Sequence, residues 1–274
     1  YKWLRRYRAA GASGLQERSR RPLRSLKRTP PEMETAVLSV RAAHPAWGGR
    51  KLRRRLLDKG LEGVPSPSTI TAILHRNDLI DAAEAAKHRP WQRFEYRAPN
   101  QLWQMDFKGH FALARGRCHP LTVLDDCSRF SLVLEACPNE TGVTVQQRLT
   151  NTFRRYGLPE AILADNGPPW GSDMVHPHTP LTVWLLRLGI GVRHGRPYHP
   201  QTQGKEERFH RSLEAEVLQG RWFDDLAHCQ AAFDRWRSVY NLERPHEALG
   251  LATPASRYRP SPRPFPDLLP PIEY

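Results

Sequence analysis

The chain has 274 residues and carries 42 Lys and Arg against 28 Asp and Glu, a formal net charge of +14. That length suits about two domains. Four scattered cysteines, Cys118, Cys127, Cys137 and Cys229, show no CxxC or paired-ligand spacing, which excludes a disulfide-framed miniprotein and a structural zinc module. No apolar run is long enough to span a membrane, and no apolar core follows the basic start, so the sequence predicts a cytoplasmic protein with no membrane partner.

The charge is uneven. Residues 1–60 hold 17 basic residues against 4 acidic ones, whereas residues 100–274 hold 20 against 19. A front end that grips a polyanion is therefore expected, followed by a near-neutral body whose function rests on particular residues. Trp3, Leu4 and Tyr7 share one face of a first helix that Gly11 and Gly14 end, and the start at Tyr1 without an initiator Met reads as an incomplete N-terminus. The stretch that follows, with Arg18, Arg20 and Arg21 before Pro22, has no apolar periodicity. It is expected to lie as an arm along phosphates or in a minor groove, with a solvated linker as the alternative.

Three short helices come next. One starts at Pro30-Pro31, carries Val37, Leu38 and Val40, and stops before Pro45. A second runs from about Gly49 to Lys59, with Leu52, Leu56 and Leu57 on one face and Arg50, Lys51, Arg53, Arg54 and Arg55 on the others. The third opens at Ser66-Pro67-Ser68, a good N-cap with Pro at the first helical position, and buries Ile70, Ile73 and Leu74. This pattern fits a helix-turn-helix whose third helix enters a major groove through Ser68, Thr69, Thr71 and Ala72. A three-helix module with a solvated basic face is the alternative. The chain divides on this reading into a helix and basic arm (1–29), a helix-turn-helix domain (30–80), a linker (81–99), a core (100–220) and a C-terminal helix with a Pro-rich, extended and mobile tail (221–274).

In the body, Trp103, Met105 and Phe107 alternate with Gln104, Asp106 and Lys108, the period of a strand with one apolar face, which leaves Asp106 on the polar side. Residues 121–124 and 130–134 read as two further strands joined by Asp125-Asp126-Cys127-Ser128, whose two aspartates are expected to be structural. A helix bearing Val145, Leu149, Phe153 and Tyr156 stops at Gly157. Ala161-Ile162-Leu163-Ala164 has the wholly apolar character of a central strand and delivers Asp165 at its carboxyl end, where α/β sheets place chemistry. A helix around Leu181–Leu188, a short strand at 190–192 and a helix over about 201–218, with Phe209, Leu213 and Val217 inward, complete the core. Glu207 falls off that stripe, whereas Glu206 leans toward it, a charge at the edge of the core. His176 and His178, in a Pro-rich loop without partner ligands, are not expected to bind zinc.

Three segments carry a resemblance. Gln101-Leu102-Trp103-Gln104-Met105-Asp106-Phe107, Asp165-Asn166-Gly167-Pro168-Pro169-Trp170 and the run from Tyr198-His199-Pro200-Gln201-Thr202-Gln203-Gly204 through Lys205-Glu206-Glu207-Arg208-Phe209-His210 resemble, in that order, the motifs of insertion-sequence transposases with a retroviral-integrase-like core. The resemblance implies an α/β core of ribonuclease H-like type, a mixed sheet of three antiparallel strands followed by parallel ones, behind an N-terminal all-α helix-turn-helix region. It implies a transposase that binds element ends and catalyses metal-dependent strand cleavage and transfer. Asp106, Asp165 and Glu207 would be both the catalytic residues and the ligands of two Mg²⁺ or Mn²⁺ ions, with Lys205, Arg208 and Arg211 near phosphate. The implied partners are end and target DNA and further copies of the chain, in a nucleoid-associated, cytoplasmic setting. Hard oxygen ligands without Cys or His suit such ions. The interval from Asp165 to Glu207 is longer than is usual in the family, with the extra residues expected in the 170–180 loop. A DNA-binding remnant without activity and a nuclease acting on RNA–DNA hybrids remain the rival readings.

Overall fold

The computed structural model describes residues 1–17, 29–80, 95–171, 178–195 and 204–269. Helix α1 (Lys2–Ala10) buries none of its residues. Helices α2 (Pro31–Ala43), α3 (Gly49–Asp58) and α4 (Pro67–Arg76) form a three-helix unit around Val37, Trp47, Leu52, Leu56, Ile70 and Ile73. Ser66 caps α4 by accepting from the Thr69 amide. Gly49 lets α3 cross close to α4, since a Cβ there would stand 2.5 Å from the Pro67 carbonyl oxygen.

Among the described residues five strands make the main sheet: β1 (Trp103–Phe107), β3 (Arg117–Asp125), β4 (Ser131–Cys137), β5 (Ala161–Ala164) and β6 (Gly191–His194), with a two-residue β2 (Phe111–Ala112) added to the start of β3. β1, β3 and β4 pair antiparallel, and β5 and β6 follow in parallel beside β1. This is the mixed sheet of a ribonuclease H-like core.

The pleat sorts its residues onto two faces. Trp103, Met105, Leu121, Val123 and Ile162 point to one, where α5 (Gly142–Tyr156) and α6 (Pro180–Arg187) cover them. Leu124 and Leu134 point to the other. There they meet Phe209 and Leu213 of α7 (Gly204–Leu213), Val217 in the π-helical turn after it (Glu214–Leu218), and Phe233 of α8 (Leu226–Leu242). A short helix α9 (Pro254–Arg257) follows.

Two expectations change. The Pro-rich tail is packed as far as it is described: Ser261 and Arg263 bond to the backbone of Tyr156 and Leu158, Arg263 also donates to the carbonyls of Leu188 and Gly189, and Phe265 joins the α5 core. Backbone and guanidinium hydrogen bonds hold it, and these leave no periodicity in a sequence. The three-helix unit is also more than a DNA module, because Val239 of α8 packs on its core, Arg55 pairs with Glu243, and Arg50 stands 3.6 Å from Glu247. The basic arm with Arg18, Arg20 and Arg21, most of the 81–99 linker and residues 198–203 of the third motif lie outside the described residues, as does His176.

Candidate catalytic carboxylates

Register explains why Asp106 and Asp165 meet. β1 and β5 run parallel with Trp103 beside Ile162 and Gln104 beside Leu163. Carried two residues further, that offset sets Asp106 level with Asp165, both on the sheet face that α7 covers. Across the antiparallel pair Asp106 is opposite Thr122. Helix α7 brings Glu207 to the same face, exposed in its first turn.

The three carboxylates share a field. Burial pushes the Asp106 carboxyl up to about 6, against a bond from the Phe107 amide that lowers it, and the charges of Asp165, Glu140 and Glu207 raise it further. Its side chain remains 27% exposed. Among the described residues no three His, Cys, Asp or Glu side chains stand close enough to enclose a metal ion. The donor chemistry nevertheless fits a hard divalent cation: oxygen ligands alone, on three separate elements, around an Asp106 whose ionised form is disfavoured by burial and then by its neighbours' charge. Asp165 is held where β5 ends, with its carbonyl within 2.9 Å of Nδ1 of His194 and its Oδ1 accepting from the Asn166 amide.

Behind this site lies a second layer that sequence reasoning did not find. The Thr122 hydroxyl oxygen stands 3.0 Å from the carbonyl oxygen of Asp106, 2.9 Å from Oε2 of Glu206 and 2.9 Å from Nε2 of His210. Glu206 is only 1% exposed, far deeper than the edge position expected for it. Burial, then the charge of Asp106, drives its carboxyl well above the usual carboxylate range, against bonds from Thr122 and the Leu124 amide. His210 is pulled down to about 4 by burial and by Lys108, and is therefore neutral at pH 7. The alternation of β3 puts Thr122 on the polar face, and His210 follows Glu206 by one helical turn; both are visible signals in hindsight. Glu140, whose charge acts on Asp106, precedes α5 in a loop and had no such signal.

The expected DNA contacts separate. Ser68 and Thr69 are exposed on α4, as are Arg208 and Arg211 on α7. Thr71 instead donates its hydroxyl back to the Pro67 carbonyl at the crossing with α3. On α3, Arg53 donates to the Pro65 carbonyl, Arg54 pairs with Asp58, and Lys51 is brought down to about 8 by burial and by Arg244. Lys205 bonds to the buried carboxylate of Asp126, which also accepts from Gln104 and the Tyr96 amide. Asp125 accepts from the Ser128 and Asn100 amides, the structural role expected of it.

Residues 96–200 and 188–254 both match the family of integrase core domains, and residues 1–74 match a homeodomain-like domain. Residues 96–254 carry an integrase core domain. Among curated proteins it is 31% identical over 159 residues to the uncharacterized 31.7 kDa protein of insertion element IS407 from Burkholderia multivorans, covering 58% of this chain and 55% of that one. It is 27% identical over 157 residues to the Pro-Pol polyprotein of simian foamy virus type 3, covering 55% of this chain and 13% of the polyprotein. Of solved structures, the catalytic core domain of BIV integrase is similar at 26% identity and a TM-score of 0.42, over 57% of this chain and 92% of that one. The chain spans about half the length of the insertion-element relatives it matches. No helix among its described residues is long and apolar enough to cross a membrane.

Proposed function

We propose that this integrase-core chain is an insertion-sequence transposase that binds the ends of its element and cuts and joins DNA by phosphodiester exchange, with Asp106, Asp165 and Glu207 as its catalytic residues. The observation that carries the reading is the coupling of these three carboxylates, from β1, the end of β5 and the first turn of α7, on one face of an integrase-type sheet. They are the groups that would hold two Mg²⁺ or Mn²⁺ ions. When bound, such ions supply Lewis acidity at the attacking and leaving oxygens of a phosphodiester.

The chain's own groups do the rest. Arg208 and Arg211 project from α7 beside Glu207 and offer forked donors to backbone phosphate. Ser68 and Thr69 on the exposed face of α4 are placed to read base edges, and the N-terminal charge supplies grip that does not depend on sequence. Water at the element end would displace a 3′-oxygen from phosphorus, and the freed hydroxyl would displace another in target DNA. No covalent protein intermediate is required. Further copies of the chain on paired ends, and a cytoplasmic, nucleoid-associated location, belong to the same reading.

The test is cleavage and strand transfer with duplex oligonucleotides taken from the terminal repeats that flank the coding region, in Mg²⁺. Asp106→Asn, Asp165→Asn and Glu207→Gln should each lower activity by about a thousandfold or more while leaving end binding within about twofold. A variant that keeps more than about a tenth of wild-type cleavage removes that residue from the catalytic set.

A further inference from the structure

The first turn of α7, which carries Glu207, has no apolar anchor. Gly204, Lys205, Glu206, Glu207 and Arg208 precede Phe209, the first α7 residue in the hydrophobic core. What holds this turn to the sheet is polar: Lys205 on Asp126 in the turn that follows β3, and Glu206 on Thr122 within β3. The same Thr122 hydroxyl stands 3.0 Å from the carbonyl oxygen of Asp106, so one side chain sits between the helix of one candidate ligand and the strand of another.

Glu206 is an expensive way to fill the space. One of its carboxyl oxygens, Oε1, has no hydrogen-bond partner, and a buried polar group left unpaired is costly. An apolar side chain of similar size would pack there without that penalty, yet it would leave the turn without its tie to Thr122.

We propose that Glu206, assisted by Lys205, is the positioning residue of this site: through Thr122 it fixes the first turn of α7 against the backbone of Asp106 and thereby sets where the Glu207 carboxylate stands. The proposal rests on the reading of Glu207 as a metal ligand. It does not make Glu206 a ligand, because that side chain is buried among Thr122, His210 and Leu124 while Glu207 is the exposed one. Adjacent helical residues point about 100° apart, so one faces the sheet when the other faces the site.

The experiment compares Glu206→Val, Glu206→Gln, Thr122→Val and Glu207→Gln in the full chain. The readouts are metal-free melting temperature, amide hydrogen exchange over residues 208–211, and Mn²⁺ affinity by water-proton relaxation. Glu206→Val should melt at or above the wild-type temperature, yet exchange these amides about tenfold faster and bind Mn²⁺ about tenfold more weakly. Glu206→Gln, which keeps an oxygen and a donor at the same place, should recover both. Thr122→Val should match Glu206→Val in exchange and Mn²⁺ affinity but melt lower, because it leaves the buried Glu206 carboxyl without its hydroxyl partner. The double variant should exchange no faster and bind no more weakly than either single one, because both cut the same link.

Unchanged exchange in Glu206→Val overturns the proposal. So does faster exchange with unchanged Mn²⁺ affinity, or a fall in melting temperature with exchange protection lost across the whole sheet, which would make Glu206 a stability residue. Glu207→Gln separates the two levels. If it weakens Mn²⁺ binding while Glu206→Val does not, only the positioning role fails; if it too leaves binding unchanged, the ligand reading of Glu207 fails and takes the role of Glu206 with it.

Discussion

Replacing Asp106 by Asn should stabilise the metal-free protein, and the size of the effect can be worked from its surroundings. Burial and the charges of Asp165, Glu140 and Glu207 raise its carboxyl from 3.8 to about 6. At about 1.4 kcal/mol per pH unit, ionised Asp106 disfavours the folded state by about 3 kcal/mol at neutral pH. A raised acid binds more protons folded than unfolded, so this penalty is absent below about pH 4, grows between about pH 4 and 6, and is constant above. Asparagine keeps the shape and removes the charge. At about 2 °C per kcal/mol for a chain of this size, the variant should melt roughly 4–6 °C above wild type at pH 7.5, and the gap should close steadily below pH 6. Differential scanning calorimetry from pH 4 to 8 in EDTA reads this directly. Adding Mg²⁺ should then raise the melting temperature of wild type and leave the variant where it was, because the cation relieves in wild type the repulsion that the substitution removes. An Asp106→Asn protein that melts no higher than wild type at pH 7.5, or by a margin independent of pH, would refute the argument that burial and the neighbouring carboxylates disfavour ionised Asp106.

Two further outcomes test the packing around the site. Gly157 has φ of 77°, and a Cβ there would stand 2.6 Å from the Ser261 carbonyl oxygen and 2.8 Å from that of Arg263, so Gly157→Ala should destabilise the core by about 2–4 kcal/mol in chemical denaturation and expose the tail to protease. A change below about 0.5 kcal/mol would mean the tail is not fastened there. Glu243→Arg should repel Arg55 and release the three-helix unit from α8, seen as faster proteolysis near residues 81–94 and a larger radius in solution scattering, and Arg55→Glu in the same chain should restore the contact. If neither single reversal alters the scattering profile, Val239 and its neighbours hold the unit without the ion pair.

The parts of the fold that declare themselves through periodicity were legible. β1 was visible because Trp103, Met105 and Phe107 alternate, β5 because Ala161–Ala164 is apolar throughout, and α4 because Ser66 and Pro67 announce a helix start. With those elements placed, strand parity and helix angle put Asp106, Asp165 and Glu207 off the apolar faces, and the resemblance to the transposase motifs singled them out as candidate ligands. What stayed hidden depends on contacts between distant segments. Nothing within α3 says that Arg55 faces Glu243, 188 residues away, instead of DNA, since a basic helix reads the same whether its partner is phosphate or a carboxylate. The tail was misread for a similar reason: Arg263 holds it by donating to carbonyls of Pro159, Leu188 and Gly189, and carbonyls are present at every position. The depth of Glu206 was underestimated because a charged residue beside an apolar stripe is ordinarily solvated at its tip, whereas here the Thr122 hydroxyl receives it.

The long interval between Asp165 and Glu207 bears on the same geometry. Its extra residues were expected in the 170–180 loop, and the described ends of that loop are closed against each other. Trp170 is buried and stacks on Phe107 at 5.6 Å, while Thr179 donates to the Pro169 carbonyl and caps α6 in a capping box with Thr182. With its base tied in this way, added length changes only the closure entropy, and each doubling of a flexible loop costs only about 0.6 kcal/mol. Asp165 is fixed by β5 before the loop begins. Glu207 is fixed after it by a helix whose later turns are packed through Phe209 and Leu213 and whose first turn is tied through Lys205 and Glu206. The spacing between the second and third carboxylates in sequence can therefore vary without moving them in space, provided the polar ties of that first turn are kept.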